Sequence, residues 1–111
     1  MSSFAQVTEE TFDAQVLNAS TPVLVDFYAD WCGPCRAMEP ALKDVAAEYE
    51  GEVMVVKLNV DENPAVQQRY GVMGIPALLL FDGGQLRERI AGAQPRSTIA
   101  AMIEKVAGSR A

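Results

Sequence analysis

Cys32 and Cys35 are the only cysteines in the 111-residue chain. They stand together in Trp31-Cys32-Gly33-Pro34-Cys35-Arg36, beside the only tryptophan. Two thiols at this spacing have three chemistries open to them. A permanent disulfide is one, but a loop this small stabilises a fold by only about 2 kcal/mol on the chain-entropy account, against nearly ~5 kcal/mol for a loop of about 100 residues. Half of a zinc site is another. Structural zinc takes four ligands, and with no histidine in the chain only a dimer sharing one ion would complete the shell. Reversible redox exchange is the third. Cys32 falls just after an apolar strand and a short loop, where a helix begins. Unpaired backbone N–H groups and the helix dipole there favour an anion. A thiolate is the nucleophile in disulfide exchange, so this placement activates Cys32. Cys35 lies one turn on, on the same face, near enough to close a disulfide after a small adjustment. Pro34 falls in the first turn, where its missing N–H costs nothing. The spacing therefore reads as a switch: Cys32 attacks a partner disulfide and Cys35 resolves the mixed disulfide.

The rest of the composition narrows the field. The absence of histidine excludes Cys-His and Ser-His nucleophile pairs and every imidazole metal site. Nine basic against fifteen acidic residues leave a formal charge of −6. That argues against nucleic acid, whose affinity rests on basic side chains meeting phosphate, and against an anionic membrane. An acidic surface keeps a small protein soluble and monomeric. The opening "MSSFAQVTEE" has neither the basic nor the apolar region of a signal peptide. No apolar stretch approaches the ~18 residues of a membrane span. The expectation is a cytoplasmic monomer, one domain over residues 1–111, in a compartment that keeps thiols reduced.

The elements that must position the cysteines follow from periodicity. Residues 4–7 read as a short edge strand. Thr8 is placed to cap a helix carrying Phe12, Val16 and Leu17, with Glu9 and Glu10 in its first turn; Pro22 breaks it. The run "VLVDFYA", 23–29, is nearly all apolar, as in a strand covered on both faces. After the cysteines, Met38, Leu42, Val45, Ala46 and Tyr49 line one face of a helix. Pro40 falls inside it and predicts a kink, and Gly51 ends it. "VMVVKLNV", 53–60, is a second buried strand. Asn63-Pro64 reads as a cap and first helical residue, and Gly71 closes that short helix. "ALLLF", 77–81, is a third apolar strand, Asp82-Gly83-Gly84 a hairpin turn, and "LRERIA", 86–91, an alternating edge strand. Ile99, Met102, Ile103 and Val106 give a last amphipathic helix, stopped by Gly108. The order β-α-β-α-β-α-β-β-α is that of an α/β domain with a mixed sheet and helices on both faces.

"DFYADWCGPCRAMEP" followed by "GIPALLLF" resembles the thioredoxin family over nearly the whole chain. A bare C-x-x-C near a βαβ pattern is a weak signal, and thioredoxin is the standing example of it; the full W-C-G-P-C with a later G-I-P is far more specific. The resemblance implies a thioredoxin fold, a central five-stranded mixed sheet flanked by four helices. It implies a general protein disulfide reductase and electron carrier, with no bound cofactor or metal, that acts on client proteins with disulfides. Its electrons would come from NADPH through a thioredoxin reductase. Carried over by position, Cys32 is similar to the family's attacking cysteine and Cys35 to its resolving one, with Trp31, Gly33 and Pro34 completing the active-site turn. Asp26 falls at the family's buried proton acceptor and Lys57 at the lysine beside it. Pro76 falls at the cis-proline facing the cysteines. Trp31, Gly74, Ile75, Pro76, Gly92 and Ala93 fall on the partner-binding rim.

From the residues alone, Asp26 reads either as a turn-facing surface acid or as a buried one. Val25 and Phe27 point one way and Asp26 the other, toward a face such strands usually bury. A carboxyl buried there without a partner has a raised pKa. Lys57 reads equally well as a solvated charge. The chain departs from the family at Tyr28, Arg36 and Ala77, where tryptophan, lysine and threonine are common. These changes bear on partner preference and on tuning of the potential, not on the reacting groups. The competing class is a binding or scaffold subunit that retains its thiols; the joint presence of both cysteines, Asp26 and Pro76 favours the redox class.

Overall fold

Three apolar runs, each too short for a helix that would bury them, pair into the middle of one sheet. The computed structural model describes residues 4–108. Its strands are β1 (Ala5–Gln6), β2 (Val23–Tyr28), β3 (Met54–Asn59), β4 (Ala77–Asp82) and β5 (Gln85–Ala91). Its α-helices are α1 (Gly33–Glu48), α2 (Pro64–Arg69) and α3 (Arg96–Ala107), and a short π-helical segment spans Asp13–Leu17. The strand order is β1-β3-β2-β4-β5. β2 runs parallel to β3 and antiparallel to β4, so the sheet is mixed, with β2 at its centre. This is the five-stranded sheet with four helical segments that the sequence leads one to expect.

Being central, β2 is covered on both faces: Val23 through Phe27 are all buried. Alternation divides them between two cores. Val23, Val25 and Phe27 join Phe12, Val16, Val66 and Phe81 on the side of the π-helical segment and α2. Leu24 joins Leu78, Leu80, Met38, Leu42 and Ile103 beneath α1 and α3. β5 alternates between exposed and half-buried along its whole length, as an edge strand with one covered face does. The β4–β5 turn is Gly83-Gly84, with φ of +62° and +82°. Two positive φ values match a tight two-residue hairpin to the twist of its strands.

Four local expectations are corrected. Thr8 does not cap a helix. Thr8 N–H donates to Thr11 Oγ1 and Thr11 N–H to the Thr8 carbonyl, a closed turn that delays the helix to Asp13. The helix is then π-helical, closed by Asn18 N–H to the Asp13 carbonyl, which lets Phe12, Val16 and Leu17 all reach the core. Glu9 serves a different helix from the one assigned to it: its carboxylate accepts from Ala65 N–H at the start of α2, at 2.6 Å. Asn63 stands at the cap position of α2, but its side chain is turned to Glu9 N–H and the Asn59 carbonyl, so it does not cap. Gly108 ends α3 in ordinary right-handed conformation and not as a left-handed stop, whereas Gly51 and Gly71 do take positive φ. Pro40 lies inside α1, which runs through it from Gly33 to Glu48.

Candidate active site

The carboxyl end of β2 delivers the chain into the site. In sheets of this kind the crevice beyond the carboxyl ends of parallel strands is where chemistry collects. Cys32 N–H donates to the Ala29 carbonyl at 3.2 Å, turning the chain out of the strand. Arg36 reaches back to the Asp30 carbonyl at 2.5 Å and closes the loop between. Cys32 then takes the N-cap position of α1, extended at φ −86° and ψ 106°, and its Sγ accepts from Cys35 N–H at 3.2 Å. A cysteine thus fills a place usually held by serine or aspartate. Gly33 and Pro34 are exposed in the first turn, where Pro34 forfeits no hydrogen bond.

Cys32 and Cys35 are joined as a disulfide with Cα atoms 5.3 Å apart. Both residues are buried, at 3% and 4% exposure, within one core cluster.

Asp26 lies on the α1 face of β2, in register with Lys57 of β3 and Leu78 of β4. It is fully buried, and both carboxylate oxygens lack a hydrogen-bond partner. Loss of water pushes its pKa up from 3.8 to about 7; the charge of Lys57 opposes the shift and that of Glu39 adds to it. The surface reading of Asp26 is therefore excluded, and so is a solvated Lys57, which is 6% exposed. Lys57 Nζ makes no hydrogen bond to Asp26. It donates to Glu39 Oε2 at 2.7 Å and sits 4.1 Å from the centre of the Tyr28 ring. A pocket of about 200 Å³ opens at this point, lined by Tyr28, Ala29, Asp30, Cys35, Arg36, Glu39 and Lys57. It links the resolving-position cysteine to the ion pair.

Around the disulfide the surface is apolar. Trp31 is 68% exposed, and its indole N–H donates to Asp61 at 2.8 Å. Ile75 packs against the cluster that holds both cysteines, and the Ile75–Pro76 peptide is cis. Gly92 N–H donates to the Pro76 carbonyl at 2.7 Å, joining the two loops of the rim. Gly74 and Ala93 are exposed. Sequence reasoning missed three residues here. Met73, 96% exposed, stands next to the rim. Asp61 fixes the tryptophan from another loop. Glu39 holds Lys57, and its position four residues after Cys35, on the same helix face, was the available signal. Among the described residues no group of three or more cysteine, aspartate or glutamate side chains is placed to hold a metal ion.

The thioredoxin family model matches residues 3–105. Curated relatives include Thioredoxin 1 of a Nostoc species, 50% identical over 95% of this chain and 98% of its own. Thioredoxin of a Synechocystis species is 48% identical over the same shares. The chloroplastic M-type thioredoxin of Chlamydomonas reinhardtii is 48% identical over 89% of this chain and 71% of its own. The chain belongs to the thioredoxin family. It is a thiol–disulfide oxidoreductase, of a family that carries no prosthetic cofactor, acts on disulfide-containing substrates and is reduced by thioredoxin reductase.

Proposed function

We propose that the chain is a general protein disulfide reductase in which Cys32 attacks, Cys35 resolves and Asp26 takes the resolving proton. The Cys32 thiolate displaces one sulfur of a client disulfide, forming a mixed disulfide and releasing a client thiolate. Cys35 gives its proton to the Asp26 carboxylate and attacks Cys32 Sγ. The mixed disulfide breaks, the second client thiolate leaves, and two electrons have passed to the client. The chain is left with the Cys32–Cys35 bond. The observation that carries this reading is that bond at the head of α1, in a chain whose central strand carries a buried, unpartnered carboxyl.

Lys57 favours the ionised form of Asp26. Trp31, Gly74, Ile75, Pro76, Gly92 and Ala93 form the rim on which an extended client segment lies. Two electrons return from NADPH through thioredoxin reductase, and the chain works as a single-domain monomer in the cytoplasm. Among the described residues no helix is long and apolar enough to cross a membrane.

Insulin reduction followed by turbidity tests the activity, with dithiothreitol or with NADPH and thioredoxin reductase as the electron source. Catalysis with either source is expected. Binding of partner proteins without reduction of insulin would place the chain in the scaffold class instead.

A further inference from the structure

The lysine aligned with Asp26 is committed elsewhere. Asp26 and Lys57 are register partners on adjacent strands, yet the ammonium is drawn to Glu39 Oε2 at 2.7 Å and Asp26 keeps no partner. Glu39 comes from α1, four residues beyond Cys35, and is only about one-fifth exposed. It also lines the pocket that Cys35 and Lys57 share. Lys57 and Glu39 therefore meet beside Cys35, with Asp26 in register with the lysine, so the lysine has two carboxylates to choose from.

We infer that Glu39 is a positioning residue that holds Lys57 away from Asp26 and so sets the pH at which Asp26 becomes able to accept the proton of Cys35. The inference rests on the role given above to Asp26, which it deepens. An ion pair presents Asp26 with little net charge, whereas a free ammonium beside a carboxylate in a dry site favours the ionised acid strongly. The other groups facing this space leave the argument unchanged. Tyr28 offers Lys57 its ring, and its hydroxyl is turned to Gln6. The Arg36 side chain is held by the Asp30 carbonyl. Asp30 is exposed. Leu78, the β4 neighbour of Asp26, is apolar.

Glu39→Gln keeps the shape and removes the charge. The Asp26 titration is read directly by carboxyl carbon NMR on the full chain, and the decay of a preformed mixed disulfide is followed across the same pH range. In Glu39→Gln the Asp26 midpoint falls by roughly one pH unit, and the acid limb of the decay profile moves down with it. Glu39→Asp, which keeps the charge, retains a midpoint close to that of the parent. In a Lys57→Met background the effect of Glu39→Gln shrinks to less than half. An unmoved or rising midpoint in Glu39→Gln overturns the inference, as does a fall of equal size with and without Lys57. A midpoint that falls while the decay profile stays fixed supports the hold of Glu39 on Lys57 and overturns the role assigned to Asp26.

Discussion

The backbone N–H of Cys35 points at Sγ of Cys32 from 3.2 Å, so the sulfur of Cys32 caps the helix in whose first turn Cys35 lies. A sulfur that carries charge accepts such a bond more strongly than a neutral one. The geometry thus favours ionisation of Cys32 once the disulfide is reduced, and Cys35, inside the helix, receives no equivalent donor.

Alkylation of the reduced chain by iodoacetamide, followed by mass spectrometry across pH, is expected to modify Cys32 first, with a midpoint below the ordinary thiol value of about 8.5. Cys32→Ser abolishes insulin reduction. Cys35→Ser leaves attack intact and accumulates mixed disulfides through Cys32. Equal alkylation of the two thiols, or adducts formed as fast through Cys35 in Cys32→Ser, would reverse the assignment.

Trp31 lies outside the core and, as a member of the proposed rim, is free to offer contact area to a client. Its ring is mostly exposed and is anchored at the edge by Asp61. Buried aromatic anchors at interfaces are worth more than about 1 kcal/mol on truncation, or roughly fivefold in affinity. Trp31→Ala is expected to raise KM for insulin by that factor or more and to leave Tm nearly unchanged. Asp61→Ala, which frees the ring without removing it, gives a smaller rise. A large loss of Tm in Trp31→Ala would mean that the ring is structural after all.

The two glycines of the β4–β5 turn differ in their surroundings. Both have positive φ, but a Cβ on Gly83 meets open space and one on Gly84 comes within 3.0 Å of the Leu17 carbonyl oxygen. The backbone cost alone is about 1–2 kcal/mol for an L residue in that region. Gly83→Ala is expected to lose about that much in urea melts and Gly84→Ala distinctly more, because the π-helical segment must shift. Equal losses would show that the close approach to Leu17 is easily relaxed.

What the sequence made legible was whatever is local or repeats with a fixed period. The apolar runs of β2, β3 and β4 show as strands because both faces are buried. The cysteine pair and the turn glycines announce themselves by spacing. Cap partners did not show, because they are not local: Glu9 meets Ala65 across 56 residues, and no periodicity records that contact. Glu39 was hidden differently. On a helix it looks like one more solvated charge, and its significance depends on Lys57 arriving from β3. Asp26 was legible as an anomaly, a single acid in an apolar run, while its lack of any partner became visible only in the fold.

That lack sets the pH dependence of stability. Asp26 releases its proton near 3.8 in the unfolded chain and near 7 in the folded one. Between these values the folded state binds more protons than the unfolded state, so stability falls as pH rises. The full stabilising effect is present below about 3.8 and has been lost above about 7. A displacement of about three pH units corresponds to roughly 4 kcal/mol. Asp26→Asn keeps the shape and removes the charge. Urea melts are expected to find it more stable than the parent by about 2–4 kcal/mol at pH 8.5 and by about 1–2 kcal/mol at pH 5. Near pH 3.5 the two proteins are about equal. On the role proposed for Asp26, the same substitution removes the acceptor for the Cys35 proton, so decay of a preformed mixed disulfide is expected to slow by about 100-fold. Stability and rate thus move in opposite directions from one atom exchange. An Asp26→Asn chain that is less stable than the parent at pH 8.5 and resolves mixed disulfides at the parent rate would remove Asp26 from both accounts.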